Sequence, residues 1–544
     1  MADLETDRDL HRDPHWDPFG RPLFDDPSAR ALSRVGVVDV GSNSVRLVVF
    51  DGAARSPAYF YNEKIMCALG RGLDQSGRLN PQGRVRALAA IRRFQLLAEG
   101  MKLAPLTAVA TAAVREAEDG PAFCEEVLRE TGLRVWVIDG AEEARLSAQG
   151  VLLGWPDAQG LVCDIGGSSM ELARLCDGQV GRRITSALGP LKLQNVAGGR
   201  KGLKTHVRNV IAGLLEDMGG AHDRLYLVGG SWRAIARLDM ERRSYPLHVL
   251  HEYRMTPRSV RATLDWFARQ DPARVRARTG TSEARLSLIP VASVVLGELI
   301  RAFRPREIAV SSYGIREGML YEQMPEHARR RDPLIEACLF AERKDARRPG
   351  FGRALYRFIR PIFRAERPAT RRLIKAACLL HDVTWRAHPD YRAEVCFDNA
   401  TRANLGGLTH EERIWLGLAL LHRYKKNRDG SRFSELFAMI DEKRALQAEI
   451  VGKAMRFGAM FSVADPQTVA RLGWRPKKRI LELDLSPRGG ALFGEVAEAR
   501  FRAVAGALQA RTLVRRDRTV MPPPTDSPAG PPTESPAPAR RQKG

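Results

Sequence analysis

Two short stretches of the sequence place an aspartate, glycine and small polar residues between two apolar runs. The first stretch runs from Asp39 to Ser44 (DVGSNS) and the second from Asp164 to Ser169 (DIGGSS). Glycine and small hydroxyl residues let backbone N–H groups converge on an anion, and the hydroxyl groups add further donors. An aspartate cannot bind an anion, but its carboxylate can hold a divalent cation or orient a water molecule. Together these residue types indicate a site for phosphate groups.

The two stretches form an internal repeat. Each begins with an apolar-Asp-apolar-Gly sequence, and each apolar run that follows ends in Asp-Gly, at Asp51-Gly52 and Asp177-Gly178. One such bend is typical of an ordinary turn. A duplicated bend predicts two similar lobes that face each other across a cleft and hold phosphate between them.

The elements that must position these bends alternate between strands and helices as far as residue 325. Strand-bend-strand patterns cover 34–60 and 160–178, and strand-turn-helix patterns cover 224–240 and 307–324. This alternation is typical of an α/β fold. After residue 325 the pattern is helical, with no convincing alternating strand before 478–486.

These patterns divide the chain into five parts. We predict a first lobe over 34–155, a second lobe over 156–325 and a helical domain over 326–515. Residues 1–33 read as a disordered extension with local structure only around Trp16 and Phe19. The Pro- and Ser-rich residues 516–544 read as a disordered tail.

Composition narrows the class of protein. No run of about 18 apolar residues is present, so no membrane span is expected, and the polar N-terminus lacks the apolar core of a signal peptide. Seven cysteines without a Cys-x-x-Cys pair favour reduced thiols in the cytoplasm over a disulfide framework or a metal–thiolate site. The net charge of +23 is concentrated after residue 325 and favours a polyanionic partner, although free use of arginine would give the same bias.

Five motifs occur in an order that resembles the exopolyphosphatase and guanosine pentaphosphate phosphohydrolase family, within the actin-like, sugar-kinase-like and Hsp70-like ATPase superfold. They are DVGSNS (39–44), GAEEARL (140–146), DIGGSSMEL (164–172), the Gly229-Gly230 turn and SSYGIREGML (311–320). The resemblance implies an α/β fold of two actin-like, ribonuclease H-like lobes around a cleft, followed by an all-α domain similar to HD phosphohydrolases. It covers residues 34–325 and extends more weakly over 326–515.

The resemblance also implies roles for individual residues. It assigns Mg²⁺ binding to Asp39, Asp164 and Glu171. It assigns phosphate binding to the two bends and to the glycine turn: Gly41, Ser42, Asn43, Ser44, Gly166, Gly167, Ser168, Ser169, Gly229 and Gly230.

Glu143 and Arg115 are the catalytic residues that the resemblance implies. Glu143 would activate the attacking water, and Arg115 would hold the transferring phosphate oxygens with its guanidinium. The alternatives are a solvated helix start at Glu142 and Glu143, and a surface ion pair of Arg115 with Glu116 or Glu118. We expect Arg316 and Glu317 to be structural or interdomain, with no catalytic role.

Ser168 departs from the family pattern, which commonly has glycine at this position. If the position requires a positive φ, serine costs roughly 1 kcal/mol or more. Otherwise the extra hydroxyl can donate to phosphate.

The helical domain carries a pair, His381-Asp382, that resembles the metal ligands of HD phosphohydrolases. Between 326 and 380 the only histidine is His327, so no complete ligand set is present and we expect a vestigial pair in a structural helix. His410 and His422 are expected at surface or packing positions. The basic stretches 347–375 and 475–480 suit nucleic acid, but with a phosphate cleft upstream we prefer a surface for long polyphosphate.

The leading hypothesis is therefore a cytoplasmic, Mg²⁺-dependent exopolyphosphatase that removes terminal phosphate from inorganic polyphosphate. The alternative is a guanosine pentaphosphate (pppGpp) 5′-phosphohydrolase, which uses the same chemistry. A kinase or chaperone-like ATPase is disfavoured by GAEEARL, which those relatives lack, and a nucleic-acid-binding regulator by the intact acidic set. The resemblance also implies a homodimer, and no membrane partner is expected.

Overall fold

The computed structural model describes residues 17–19, 23 and 31–516. The disorder predicted for the remaining residues of 1–33 and for 517–544 concerns residues outside this range. Within the extension, the described residues are packed: Phe19 and Leu23 are buried against lobe I, and Thr107 Oγ1 donates to Pro18 O at 2.9 Å. The local structure expected around Phe19 extends to Leu23, because both apolar side chains pack in the core of the first lobe.

Lobe I is built on a five-stranded sheet with the order β3-β2-β1-β4-β5. β1 and β2 are antiparallel and almost wholly apolar, and the DVGSNS bend is the turn between them, while β1, β4 and β5 are parallel. Its elements are β1 (Val35–Val40), β2 (Ser44–Ala53), β3 (Ser56–Met66), α1 (Leu73–Ser76), α2 (Pro81–Gly100), β4 (Thr107–Ala110), α3 (Ala112–Glu116), α4 (Gly120–Thr131), β5 (Val135–Val137) and α5 (Gly140–Gly154).

Lobe II repeats this arrangement in a six-stranded sheet with the order β10-β11-β9-β6-β7-β8. Here β6, β7 and β8 are antiparallel neighbours with the DIGGSS bend between the first two, and β6, β9 and β11 are parallel. Its elements are β6 (Gly160–Ile165), β7 (Met170–Cys176), β8 (Gln179–Ser186), α6 (Pro190–Leu193), α7 (Gly199–Met218), β9 (Arg224–Gly229), α8 (Gly230–Arg242), β10 (Tyr253–Met255), α9 (Pro257–Phe267), α10 (Pro272–Thr279), α11 (Glu283–Leu286), α12 (Ile289–Phe303), β11 (Glu307–Val310) and α13 (Ile315–Glu322).

The last helix of each lobe crosses the other at a glycine contact. A Cβ atom on Gly150 of α5 would lie 2.3 Å from Gly314 O, and a Cβ on Gly318 of α13 would lie 1.8 Å from Leu146 O. Neither position can carry a side chain without moving a backbone, so glycine allows the two helices to touch. This contact brings the first turns of both helices to the region between the lobes.

One stretch in the described residues, Glu283–Phe303, is long and apolar enough to cross a membrane by length and composition. It comprises α11 and α12, and its residues Leu286, Val295, Leu296 and Leu299 are buried in the hydrophobic core of lobe II. Its apolar character is therefore explained by core packing.

The C-terminal domain is mainly helical, as predicted, but it is not all-α. A three-stranded sheet with the order β12-β13-β14 closes it, with β12 antiparallel and β14 parallel to β13. The helices are α14 (Glu326–Arg329), α15 (Pro333–Asp345), α16 (Phe351–Ile359), α17 (Pro368–Leu380), α18 (Arg392–Arg402), α19 (His410–His422), α20 (Ser434–Phe437), α21 (Glu442–Phe461), α22 (Pro487–Leu492) and α23 (Glu495–Ala507), and the strands are β12 (Ala470–Arg475), β13 (Ile480–Leu485) and β14 (Arg511–Arg515).

The segment between α18 and α19, which we call the docking loop (residues 403–409), contacts both lobes. Asn404 Nδ2 donates to Pro57 O of lobe I at 2.9 Å, and its Oδ1 accepts from the Tyr313 hydroxyl of lobe II at 3.1 Å. Gly407 N donates to Gly154 O at the end of α5 at 2.9 Å. The C-terminal domain therefore ties the two lobes together at the ends of their crossing helices.

Candidate active site

The two bends lie against each other between the lobes. Within each bend the first glycine N–H donates to the carbonyl of the last serine, Gly41 to Ser44 and Gly166 to Ser169, both at 3.0 Å. Across the cleft, Ser168 Oγ donates to Ser42 Oγ at 2.9 Å. The structure thus brings together the two halves of the predicted phosphate site, with the same local geometry on both sides.

Ser168 does not adopt a positive φ. The backbone strain considered for a serine at this position is therefore absent. Its hydroxyl instead joins the two bends through Ser42, so the departure from the family pattern adds a contact between the lobes.

Glu143 lies on the inner face of α5 and is only 4% exposed. The helix begins at Asp139, whose side chain accepts from Glu142 N, and Glu142 pairs with Arg145, so Glu142 and not Glu143 lies at the partly solvated helix start. Burial and the nearby charge of Asp164 raise the pKa of the Glu143 carboxyl to about 8, and Arg115 opposes that shift. A carboxyl with such a pKa is poised to accept a proton near neutral pH.

Arg115 lies beside this carboxylate. Its Nη1 donates to Ile138 O at 2.8 Å and lies 3.3 Å from Glu143 Oε2. Glu116, the partner considered for a surface ion pair, pairs with Lys192 instead at 2.6 Å. The structure therefore brings the two predicted catalytic residues into contact.

Asp164 and Glu171 are opposite residues of β6 and β7 and are both buried. Asp164 accepts a hydrogen bond from Ser147 of α5, and Glu171 Oε1 accepts from Thr185 Oγ1 at 3.1 Å. Glu171 Oε2 is buried without a hydrogen-bond partner. Burial raises the pKa of both carboxyl groups, and the charge of Glu143 adds to the shift of Glu171.

The three residues predicted to hold Mg²⁺ do not form a ready-made metal cage. In the described chain, no group of three or more His, Cys, Asp or Glu side chains is placed to hold a metal ion. Asp39 is instead engaged by a guanidinium, because Arg316 Nη1 donates to its Oδ2 at 2.9 Å. Mg²⁺ is commonly held by one or two carboxylates together with water and substrate phosphate, and the buried carboxylates with the unpartnered Glu171 Oε2 fit such an open site.

The Gly229-Gly230 turn lies beside the second bend. Gly229 has a φ of +115°, and a Cβ there would lie 2.5 Å from Ile165 O and 3.2 Å from Asp164 Oδ1. A Cβ on Gly230 would lie 3.3 Å from Arg285 Nη2. The turn therefore requires glycine to pass close to β6. It also lies beside Arg285, a residue that no sequence motif indicated.

Arg285 belongs to a group of cations from both lobes, which we call the cationic cluster: Arg46, Lys64, Arg233, Arg285 and Arg316. Burial and mutual repulsion lower the pKa of Arg46 to about 10 and that of Lys64 to about 8, and they also lower the pKa of Arg233. Buried like charges disfavour one another unless an anion lies between them. The cluster is therefore a strong site for a polyanion.

Sequence reasoning missed this cluster. Arg316 lies inside the motif SSYGIREGML and Arg46 follows DVGSNS by two residues, and these two arginines were the available signal. Lys64, Arg233 and Arg285 come from three unrelated elements, and only the fold brings them together. The contact between Arg316 and Asp39 is an interlobe contact, in line with the structural or interdomain role expected for this arginine, and it lies at the end of the first bend's strand.

The His381-Asp382 pair carries a salt bridge in place of a metal. Arg347 binds Asp382 through two nitrogens, at 2.6 and 2.8 Å, and His381 Nδ1 lies 2.8 Å from Cys378 O. A guanidinium therefore holds the Asp382 carboxylate, and the interpretation of a vestigial pair stays a prediction. His410 and His422 are both buried packing residues.

Two α/β lobes with facing bends, a buried carboxylate and a cationic cluster define a class of phosphatases with actin-like domains. The family model "Ppx/GppA phosphatase family" matches residues 48–327, and "Exopolyphosphatase, C-terminal" matches residues 361–513. The chain belongs to the Ppx/GppA phosphatase family and is a phosphatase-type hydrolase.

The chain is similar to individual proteins over different lengths. Exopolyphosphatase 1 of Mycobacterium tuberculosis is 26% identical over 310 residues, which span 54% of this chain and 89% of that protein. Retrograde regulation protein 2 of Saccharomyces cerevisiae is 23% identical over 453 residues, 74% of this chain and 75% of that protein. The crystal structure of an exopolyphosphatase from Cytophaga hutchinsonii is 22% identical with a TM-score of 0.49, covering 53% of this chain and 97% of that one.

Proposed function

We propose that this protein is an exopolyphosphatase that hydrolyses the terminal phosphate of inorganic polyphosphate. The observation that carries the proposal is the cationic cluster, whose member Arg316 contacts Asp39, itself a charged neighbour of Glu143. Hydrolysis of a terminal phosphoryl group needs a clamp on its oxygens, neutralisation of its charge and a positioned water. The facing bends, the cluster and the Glu143–Arg115 pair can supply these three requirements.

Glu143 is the proposed base. Its carboxylate accepts a proton from the water whose oxygen attacks the terminal phosphorus, and the bond to the bridging oxygen of the chain breaks. Arg115 lowers the pKa of Glu143 and offers free guanidinium donors to phosphate oxygens. The N–H groups and hydroxyls of the two bends hold the remaining oxygens.

Mg²⁺ is the proposed cofactor, with Asp39, Asp164 and Glu171 as candidate ligands, and when bound it would neutralise phosphate charge. These carboxylates offer acceptor oxygens in the cleft without closing a cage around a cation. Such an arrangement leaves room for substrate oxygens.

The surface of the C-terminal domain favours a long substrate. Arg348, Arg360, Arg364 and Arg367 are exposed on α16 and the turns around it, and none of them makes an ion pair with a described residue. We infer that a long polymer bound in the cleft extends onto these arginines. The alternative, a pppGpp 5′-phosphohydrolase, uses the same cleft and the same chemistry.

Glu143→Gln is the direct test of the base. The amide keeps the shape of the side chain but cannot accept a proton, so phosphate release from polyphosphate should fall by about 10²–10⁴-fold. Thermal unfolding should show that the fold is intact, and Glu142→Gln is the matched control, expected to retain activity. Full activity of Glu143→Gln would contradict the assignment. Exclusive turnover of pppGpp in competition with polyphosphate would favour the alternative.

We further propose a cytoplasmic homodimer. All seven cysteines are free thiols in the structure, which suits a reducing compartment. The dimer follows from the family resemblance alone, and light scattering of the purified protein tests it. A monomeric mass would contradict it.

A further inference from the structure

Arg316 reaches across the cleft. It lies in the first turn of α13 in lobe II, yet its Nη1 donates to Asp39 Oδ2 at the end of β1 in lobe I, 2.9 Å away. The Arg316 side chain is 11% exposed and that of Asp39 is 22% exposed. The Nε of Arg316 is buried and has no hydrogen-bond partner. A buried guanidinium with an unused donor has a place for a second acceptor.

The charges around Arg316 differ on its two sides. Glu317, Asp39 and Asp164 attract it, and their charges hold the pKa of Arg316 above its ordinary value although burial lowers it. Arg316 also repels Arg46 and Arg233, and it is the strongest charged neighbour that lowers the pKa of each. Arg316 therefore lies at the boundary between the acidic set and the cationic cluster.

The backbone that carries Arg316 is fixed. Glu317 Oε2 accepts from Gly314 N at 2.8 Å at the start of α13, and Glu317 Oε1 accepts from the Tyr59 hydroxyl of lobe I at 2.8 Å. The helix start cannot shift easily, so a change of partner by Arg316 must occur through its own side-chain torsions. A long arginine side chain can make that change at low cost.

We propose that Arg316 is a positioning residue that changes partner: it neutralises Asp39 in the free protein and turns to the phosphate chain when a divalent cation takes Asp39. This inference rests on the proposed function, because it requires a phosphate chain in the cleft. A divalent cation on Asp39 would repel the guanidinium that its Oδ2 now accepts from, and this repulsion favours the departure of Arg316. Its Nε and Nη groups can then make the paired hydrogen bonds to phosphate oxygens for which a guanidinium is suited.

The test compares two affinities that should change in opposite directions. In Arg316→Met, the affinity of the substrate-free protein for Mg²⁺, measured by calorimetry, should rise by about tenfold because a competing charge is gone. In the Glu143→Gln background, the affinity of the same variant for polyphosphate should fall by about tenfold. A residue that only stabilised the fold would weaken both affinities.

Two further variants sharpen the result. Arg316→Lys keeps the charge, so its Mg²⁺ affinity should stay near that of the wild type while polyphosphate binding recovers only in part. Arg145→Met removes a buried arginine whose carboxylate partners are Glu142 and Glu322, and neither affinity should change. If Arg316→Met does not fold, Arg316→Lys decides alone: a gain in Mg²⁺ affinity or full polyphosphate affinity would overturn the proposal.

Failure of the proposed function would look different. If the wild type hydrolyses neither polyphosphate nor pppGpp, the enzyme assignment fails, yet the Mg²⁺ titration still reports the competition at Asp39. If the wild type is active but Arg316→Met binds Mg²⁺ no more tightly than the wild type, the exchange of partners is wrong.

Discussion

At the scale of single residues, Glu143 should set the pH dependence of the reaction. It must be ionised to accept a proton, and burial with Asp164 raises its pKa to about 8, so kcat/KM at low Mg²⁺ should rise with pH through this value. A bound cation favours the ionised form, and the rising limb should therefore move to lower pH as Mg²⁺ increases. Measurement of kcat/KM between pH 5 and 10 at two Mg²⁺ concentrations checks both expectations.

The pH dependence of kcat/KM should also be measured for Arg115→Met. Because Arg115 lowers the pKa of Glu143, its removal should move the rising limb to higher pH, in addition to any loss of rate. An unchanged limb would mean that another group controls the profile.

The residues of the site were only partly predictable. The facing bends could be found because their residue types and their duplication have a chemical reason, whereas Glu143 and Arg115 were indicated only by the resemblance to the family. Lys64, Arg233 and Arg285 could not, because a single basic residue in a strand or helix carries no such spacing. Their role depends on their burial close to one another in the folded protein, and this proximity cannot be read from the sequence.

At the scale of secondary-structure elements, the close contact of α5 and α13 should contribute strongly to the free energy of unfolding. Gly150→Ala would place a Cβ 2.3 Å from Gly314 O, and Gly318→Ala would place one 1.8 Å from Leu146 O. Since only backbone movement can relieve these contacts, each variant should lose about 3 kcal/mol or more of unfolding free energy. Urea denaturation measures the loss, and phosphatase activity should fall with it because both helices carry site residues.

Gly213→Ala is the matched control for these variants. Gly213 lies inside α7, and a Cβ there meets nothing within 4 Å. Alanine should stabilise this helix by about 0.5–1 kcal/mol. Equal effects at all three glycines would contradict the proposed crossing contact.

The elements of the two lobes followed from their alternating patterns, but the C-terminal sheet did not. β12 alternates apolar and other residues over only six positions, and β14, which has arginine at both ends and is largely exposed, lacks an apolar alternation. β14 also pairs in parallel with β13 after the intervening helix α23, and a pairing of this kind is decided by the packing of the helix. Tertiary context, and not local preference, makes these segments strands.

Two buried histidines couple pH to the stability of the whole molecule. His251 lies between the rings of Trp155 and Tyr313, and His410 of the C-terminal domain contacts His251 O at 3.0 Å and the Tyr245 hydroxyl at 2.9 Å. Burial lowers the pKa of His251 to about 3 and that of His410 to about 4 from an ordinary value of 6.5. Both are therefore neutral at the interface between lobe II and the C-terminal domain.

The stability that these histidines contribute should be present above pH 6.5 and lost as pH falls toward 4. In that pH window, each of the two histidines lowers the free energy of unfolding by up to about 1.4 kcal/mol for every unit by which the pH falls. Glu143, with its raised pKa, gives the unfolding free energy the opposite dependence on pH. Because both proteins contain Glu143, a comparison of the wild type with His410→Gln isolates the contribution of His410. The stability difference between the two proteins should shrink as pH falls from 7 to 5, and a constant difference in urea denaturation would contradict this assignment.

The charge of the C-terminal surface should appear in the salt dependence of polymer binding. Replacement of Arg360, Arg364 and Arg367 by Gln should reduce the slope of log K against log salt by about 2 for long polyphosphate, because each contact releases a counterion. Binding of tripolyphosphate, which fills only the cleft, should not change. Replacement of Arg258 and Arg261, exposed on lobe II, is the control, and an equal change there would assign the effect to net charge alone.

The docking loop has a consequence for the gene as well as for the protein. Asn404 satisfies Pro57 O and the Tyr313 hydroxyl, and Gly407 N satisfies Gly154 O, so these groups of the two lobes lose their partners when the loop is missing. A nonsense mutation between codons 326 and 404 would leave every catalytic residue encoded, yet it would remove the contacts that hold the lobes in register. Truncated alleles of this kind are therefore expected to behave as losses of the phosphatase, although the coding sequence of the active centre is intact.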